Sequence, residues 1–483
     1  MNELAFSALQ EIINFGFDQF PFNNGVKYSP SPTEVDYEEF EAELRRLIRL
    51  TKEEKKFENF HCLFVFGPTG VGKCFAIGTK VLMYDGSIKK IEDIKIGDQV
   101  MGDDSTPRLV KSLASGTEMM YDVIPTKGEK YTVNESHILS LKSTEWNHTG
   151  RDRKLNKKGE LIDISLKDYL SKSKSFKHTR KGYRVGVEFP SREVPLLLEP
   201  YFLGLWLGDG HSRWPIITNT DKELIEYLRE YAERNNLVIS HDGIEHRIAD
   251  EGKGRQNKLV KIMRTLNLLE NKHIPDIYKI NSKQVRAELL AGLIDSDGYF
   301  SNNCYDITSV NRQLAEDIVF LSRSLGLAAY MKLSAKSAYR NKMIKGLYYR
   351  IIISGNIDII STKVIRKRAI SRKQKKNVLV TGIRVAPVGI GKYCGFELEG
   401  EDRRFLLADF TVVHNTQIPK AIAEEEGCVY HKLEVQKVPL EEIAGFPYLY
   451  DKQDRKVVKL AEPTILPPSG HDGVWLLHLD EFN

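Results

Sequence analysis

The segment Gly67-Pro-Thr-Gly-Val-Gly-Lys73 constrains this chain more than any other, because it stops one residue short of a complete motif. It follows the apolar, strand-like run Leu63–Phe66 and fills seven of the eight positions of the phosphate-loop pattern GxxxxGK[ST]. In that pattern the glycines, here Gly67, Gly70 and Gly72, let backbone N–H groups turn inward around phosphates. Lys73 adds charge, and a following hydroxyl binds Mg²⁺. The eighth residue is instead Cys74, and a thiol is a poor ligand for a hard cation. The residues after it, Phe75 to Leu82, read as a strand where a phosphate loop must open a helix. The missing hydroxyl and helix start at Thr416, which leads into Gln417–Gly427. Joining Lys73 to Thr416 completes the motif and sets apart a 342-residue insert, Cys74 to Asn415, between flanks of 73 and 68 residues.

The insert begins with Cys74 and ends with His414-Asn415, and a hydroxyl residue follows it. This arrangement resembles an intein, a self-excising protein element; the alternative is a degenerate ATPase with a long loop insertion. The resemblance implies three nucleophiles acting in order. The Cys74 thiol attacks the carbonyl of Lys73, and the Thr416 hydroxyl attacks the resulting thioester. The Asn415 amide then cyclises to release the insert. Gly128–His137 resembles the second conserved intein block, so His137 is expected to polarise the Lys73–Cys74 amide and Asn134 to help hold the oxyanion. Phe405–Asn415 resembles the last block, with His414 assisting Asn415. Counting back 18 residues from Asn415, where many inteins carry an Asp, gives Glu397. Thr416 is a further departure, since Cys or Ser often stands there. The turns Tyr84-Asp85-Gly86, Gly97-Asp98 and Gly102-Asp103-Asp104 divide Phe75 to Lys142 into short strands. With Val378 to Asn415 these are expected to close an all-β unit, the horseshoe of the hedgehog–intein fold.

Inside the insert the β pattern gives way to Phe202-Leu-Gly-Leu-Trp-Leu-Gly-Asp209-Gly210 and Leu290-Ala-Gly-Leu-Ile-Asp-Ser-Asp297-Gly298, whose acids are 88 residues apart. The second is one substitution from LAGLIDADG and resembles the signature of that homing-endonuclease family. A weaker repeat continues beyond, Ile217-Thr218 matching Ile307-Thr308 and Leu237 matching Leu327 at an offset of 90. The duplication predicts two α+β halves about a pseudo-twofold axis. The motif helices would meet at Gly204, Ala291 and Gly292 and deliver Asp209 and Asp297 to one centre. There they would hold Mg²⁺ for cleavage of a phosphodiester. Lys272 resembles a lysine of the family placed near the scissile phosphate. The partner implied is double-stranded DNA at the insert-free host gene. Basic stretches flank the domain: Arg151–Arg184 has 12 Lys+Arg against 4 Asp+Glu, and Lys363–Lys376 has 8 bases and no acid.

In the flanks, Gly473–Glu481 is an apolar run ending in acids. It resembles a Walker B motif, with Asp480 for Mg²⁺ and Glu481 to activate water. With Val438–Pro447 it resembles a MoxR-type AAA+ ATPase, which implies ATP as ligand after splicing and a homo-oligomer once the host is complete. The composition fits a large intracellular protein. The chain has 483 residues and net charge +5, and its five cysteines (Cys62, Cys74, Cys304, Cys394, Cys428) form no CxxC pair. That excludes a disulfide-stapled scaffold and points to a reducing cytoplasm. No apolar run reaches the roughly 18 to 20 residues of a membrane span. The expected organisation is a multidomain chain: an N-terminal host segment at 1–73, the intein at 74–415, and a C-terminal host segment at 416–483. The intein divides into splicing segments at 74–190 and 366–415 around an endonuclease at 191–365. The host would be a split α/β P-loop NTPase. The competing function is an AAA+ ATPase whose insertion binds DNA without cutting it.

Overall fold

The computed structural model describes residues 74–144, 158–190, 194–251, 257–371, 374–399 and 403–414 save positions 136, 341 and 375, with 427–434 and strands at 447–452, 455–460 and 475–480. Gly67, Gly70, Gly72, Lys73, Asn415, Thr416 and Glu481 lie outside these residues, as do the expected strand at Leu63–Phe66, the helix after Thr416 and the segment Val438–Ala444. Contacts divide the chain into two units, 72–415 and 1–71 with 416–483.

The larger unit opens with β1 (Phe75–Ala76), β2 (Lys80–Leu82), β3 (Ile88–Lys90), β4 (Gln99–Met101), β5 (Pro107–Pro125), β6 (Tyr131–Asn134), β7 (Ile138–Ser143) and β8 (Leu161–Ser165). Two short helices, α1 (Leu166–Ser171) and α2 (Lys174–Thr179), are each capped by the hydroxyl of a preceding serine, Ser165 or Ser173, and lead to β9 (Arg180–Tyr183).

Next comes α3 (Pro200–Asp209), then β10 (Ile216–Thr218), α4 (Lys222–Arg234), β11 (Leu237–Asp242), β12 (Glu245–Asp250), α5 (Lys258–Thr265) and α6 (Asp276–Lys279). After them stand α7 (Lys283–Asp297), β13 (Tyr299–Ser301), β14 (Cys304–Ser309), α8 (Arg312–Ser324), β15 (Ala328–Arg340) and β16 (Lys342–Ser354). The first half thus runs helix, strand, helix, hairpin, and the second repeats it with one extra strand, β13, after its opening helix. The hairpins complete two antiparallel sheets, β10-β12-β11 and β13-β14-β16-β15. Helix α3 is buried all round from Tyr201 to Leu207, and α7 is buried from Leu289 to Asp295. Neither needs a polar face, because each lies at the centre of its domain.

The chain returns through β17 (Val380–Thr381), β18 (Ile383–Leu398), β19 (Arg404–Leu406) and β20 (Val412–His414). Strand β18 pairs with β1 and with β5, while β1 pairs with β6 and β6 with β5, so the four strands close on themselves. The expected closure of N- and C-terminal segments is therefore present. One expectation needs correcting: β5 is not a short strand but runs 19 residues, held by β18 along most of its length. The β segments at either end of this unit enclose one core around Phe75, Val81, Leu139 and Phe405, and the α+β segments between them enclose another around α3 and α7. A third, smaller core lies where they meet, and includes Leu82, Met101, Ile280, Leu406 and Phe410.

In the smaller unit, β21 (Val429–Glu434) and β24 (Trp475–Asp480) are parallel, and β22 (Pro447–Lys452) and β23 (Arg455–Leu460) form an antiparallel pair. Among the described residues no helix is long and apolar enough to cross a membrane.

Candidate functional site

Cys74 stands immediately before β1 and is 1% exposed. Its backbone N–H, the nitrogen of the Lys73–Cys74 amide, donates to Asn134 Oδ1 at 2.8 Å, and Asn134 N–H donates to the Cys74 carbonyl at 3.1 Å. The Asn134 amide nitrogen donates in turn to Glu118 Oε2 at 2.6 Å. Its NH₂ is thus engaged by Glu118, and its oxygen faces the nitrogen of the junction bond.

The thiol lies over Gly395. A Cβ there would meet Cys74 Sγ, so glycine at this register position makes room for the nucleophile. Tyr393 and Glu397 alternate with Gly395 on the same face of β18. Burial, with the charges of Cys74 and Glu118 added, pushes the Tyr393 phenol up to about 12. Glu397 is half-buried and accepts from Ser112 Oγ at 3.2 Å. His137 is buried, and its ring meets that of Phe75 edge-on at 4.7 Å.

At the other end, β20 carries buried His414 opposite Arg404 of β19. His414 Nε2 is 3.9 Å from Asp163 Oδ2 on β8. Arg404 donates to the same carboxylate oxygen at 2.6 Å and to Ser140 Oγ of β7 at 3.1 Å. Cys74 and His414, 340 residues apart in sequence, are therefore tied to consecutive strands, Cys74 to β6 directly and His414 to β7 through its strand partner Arg404.

The second constellation lies where α3 and α7 cross. A Cβ on Gly204 would strike the Leu289 carbonyl, and one on Gly292 would strike the Tyr201 carbonyl. The backbones touch because both positions lack side chains. Gly208 lies against Ser296 and the Asp297 carboxyl. Asp209 accepts from Asn219 Nδ2 at 2.6 Å, yet burial holds its carboxyl above the usual range. Asp297 keeps solvent access, but crowding protein and then the charge of Asp209 push it up to about 6. Two carboxylates that repel across a helix crossing suit a hard divalent cation. Among the described residues no third Asp, Glu, His or Cys completes a cage, so water or a phosphate oxygen would supply the other ligands.

Lys272 Nζ donates to the carbonyls of Gly208 at 3.0 Å and Gly210 at 2.7 Å, closing the end of α3. Burial brings it down to about 8, against the pull of Asp297 and Asp209. Lys367 does the same for α7, donating to Ile294, Asp295 and Ser296 carbonyls at 2.7–3.0 Å. Lys367 lies just past the expected domain limit at 365. Its segment is anchored by buried Asp295, which accepts from the Lys363 N–H at 2.6 Å and the Tyr201 hydroxyl at 2.5 Å.

Sequence reasoning missed Glu118, Asp163, Arg404, Gly395 and Lys367. Asp163 and Lys367 entered it only through tallies of charge. Their roles depend on strand register and helix crossing, which leave no local pattern.

Residues 74–183 match the family described as Hom_end-associated Hint, and residues 273–381 match the family described as Homing endonuclease. Together these matches support an intein with a homing endonuclease. The chain is 29% identical over 282 residues to the replicative DNA helicase DnaB of Mycobacterium intracellulare, covering 55% of this chain and 44% of that protein. It is 32% identical over 176 residues to the homothallic switching endonuclease of Saccharomyces cerevisiae, covering 30% of each. The chain spans less than half the length of either relative. Among solved structures it resembles I-DmoI in complex with DNA and Ca, with TM-score 0.24 and 17% identity, covering 32% of this chain and 81% of that one. It also resembles the gp41-1 intein, with TM-score 0.14 and 16% identity, covering 20% and 80%.

Proposed function

We propose that residues 74–415 excise themselves and join Lys73 to Thr416. The observation that supports this reading is that Cys74 is tied to β6 and His414, through its strand partner Arg404, to the consecutive strand β7. Cys74 Sγ attacks the Lys73 carbonyl, the amide C–N bond breaks, and the Cys74 nitrogen leaves protonated. Asn134, held by Glu118, orients that nitrogen. Buried His137, whose ring packs on Phe75 next to Cys74 in the chain, is the proposed proton donor, and Glu397, on the thiol's face of β18, takes the thiol proton. The Thr416 hydroxyl then takes over the acyl group from Cys74. The Asn415 amide nitrogen attacks the Asn415 carbonyl, the bond to Thr416 breaks, and His414 serves the departing amine. The ester finally rearranges to a peptide bond. In the test, Asn415→Ala precursor should still cleave after Lys73 with added thiol. Cys74→Ala/Asn415→Ala precursor should stay intact, and joined host product from it would refute the assignment.

The same insert is proposed to cut double-stranded DNA at the joined Lys73–Thr416 codons. The reciprocal contacts of Gly204 and Gly292, with Tyr201/Leu289 and Gly208/Ser296 at the same 88-residue spacing, support a pseudo-twofold arrangement. Asp209 and Asp297 would hold Mg²⁺, which supplies Lewis acidity and an activated water. Lys272 and Lys367 keep the two helix ends in place beside them, with positive charge toward the phosphate.

For the flanks, the reading is a P-loop ATPase host of the MoxR-like AAA+ kind that binds ATP after splicing and assembles into homo-oligomers. The parallel pair β21–β24, whose second strand ends at Asp480, supports an α/β unit of that kind, because parallel neighbours need a crossover.

A further inference from the structure

We propose that the endonuclease domain is also a structural part of the C-terminal half of the splicing centre, holding the turn that aims His414 and Asn415. The proposal rests on the splicing reading above. The turn is Ala408–Thr411, just before β20. Its residue Phe410 has φ +68°, a conformation costly for a bulky aromatic side chain, and the residue is fully buried. Such a conformation persists only where the surroundings impose it.

Part of those surroundings, Phe320, Arg323 and Tyr330, comes from the endonuclease domain, while Arg184 and Phe189 lie on the splicing segment that leads into it. The Phe410 ring meets Phe320 of α8 at 5.0 Å in an edge-on arrangement, and Phe320 stacks on Phe189 at 6.2 Å. Beside it, buried Asp409 accepts from Arg184 at 2.7 and 3.2 Å. Arg184 also donates to the Tyr330 hydroxyl of β15 at 3.4 Å. Arg323 of α8, likewise buried, lies over the Tyr330 ring at 5.9 Å, and its charge adds to that of Arg184 at Asp409. The other Asp409 oxygen accepts from Thr411 N–H at 3.1 Å, which carries the restraint into the start of β20. Val412, on β20 itself, lies in the core formed where the two domains meet, two residues from His414 on the same strand face. Around Cys74, by contrast, the neighbours Asn134, Glu118 and Gly395 all belong to the splicing strands.

The seam should therefore govern Asn415 cyclisation and leave acyl transfer at Cys74 alone. Full-length precursors separate the two reactions: Cys74→Ala reports cleavage after Asn415, and Asn415→Ala reports thiol-induced cleavage after Lys73. Into each go Phe320→Ala, Phe320→Leu and Phe410→Gly. Glycine accepts φ +68° without strain, so Phe410→Gly removes the ring's packing without adding backbone strain, and Phe320→Ala removes the contact from the endonuclease side alone. The expected result is a loss of about tenfold or more in the Asn415 reaction for Phe320→Ala and Phe410→Gly, since small misplacements of reacting groups cost rates of that order. Phe320→Leu should recover most of it, and thiol cleavage should stay within about twofold throughout. Unchanged Asn415 cleavage, or equal slowing of both reactions in every variant, would overturn the proposal. Absence of Asn415 cleavage in the Cys74→Ala parent would instead refute the splicing reading.

Discussion

Cys74 N–H, Asn134 and Glu118 form one directional chain of hydrogen bonds, so the acid decides which end of the Asn134 amide faces the junction. Asn134→Ala removes the acceptor. In the Asn415→Ala background it should slow thiol-induced cleavage by about tenfold or more, or roughly 1.4 kcal/mol on the barrier. The rate of band appearance on a gel reads this directly. Asp409 offers a pH test. Burial alone would raise its carboxyl, but Arg184 and Arg323 hold it below the ordinary range. A folded value below the unfolded one means stability that is present above about pH 4 and lost as pH falls through the folded value. Thermal melting of the Asp409→Asn precursor should thus show less acid sensitivity below about pH 4 than the parent. At neutral pH it should be destabilised by about 3 kcal/mol, because Arg184 is left buried without its carboxylate. At this scale the sequence exposed Cys74, His137, His414 and the two aspartates, since each stands in a run with a recognisable spacing. Glu118 and Asp163 have no such run, and their partners lie on other strands.

Helices α3 and α7 show what a repeat makes legible. Two apolar nonamers with glycine at matching positions implied two helices in backbone contact, and Gly204 and Gly292 occupy that contact. Gly292→Ala would force the helices apart. It should destabilise the endonuclease domain by about 2 kcal/mol or more and sharply reduce DNA cleavage in a plasmid-cutting assay. The length of β5 was hidden for the opposite reason. Its partner β18 lies beyond the whole endonuclease domain in sequence, so no local pattern marks the pairing. The left-handed turn at Phe410 was equally hidden, since an aromatic residue gives no local sign of positive φ.

For the whole molecule, the two proposed centres share a chain but not their reacting groups. Asp209→Asn or Asp297→Asn should abolish Mg²⁺-dependent cutting of the insert-free host site and leave splicing at the parental rate. Undiminished cutting by either variant would show that these acids do not form the nuclease centre. On the proposed reading, the host's nucleotide site forms only after the insert departs. Before splicing, Lys73 leads into Cys74 and β1 rather than into a helix whose N–H groups face a phosphate. The Cys74→Ala/Asn415→Ala precursor should therefore bind Mg-ATP far more weakly than a host with Lys73 joined directly to Thr416. Equal affinity would contradict that reading.

The central claim is that Cys74 to Asn415 leaves and the flanks join. Intact-mass measurement of the freshly expressed wild-type chain, beside the Cys74→Ala/Asn415→Ala precursor, tests it most directly. The predicted result is a 342-residue insert and a 141-residue host with Lys73 bonded to Thr416, against only the 483-residue chain in the double variant. A wild-type chain that stays at full mass, or a joined host from the double variant, would contradict the account.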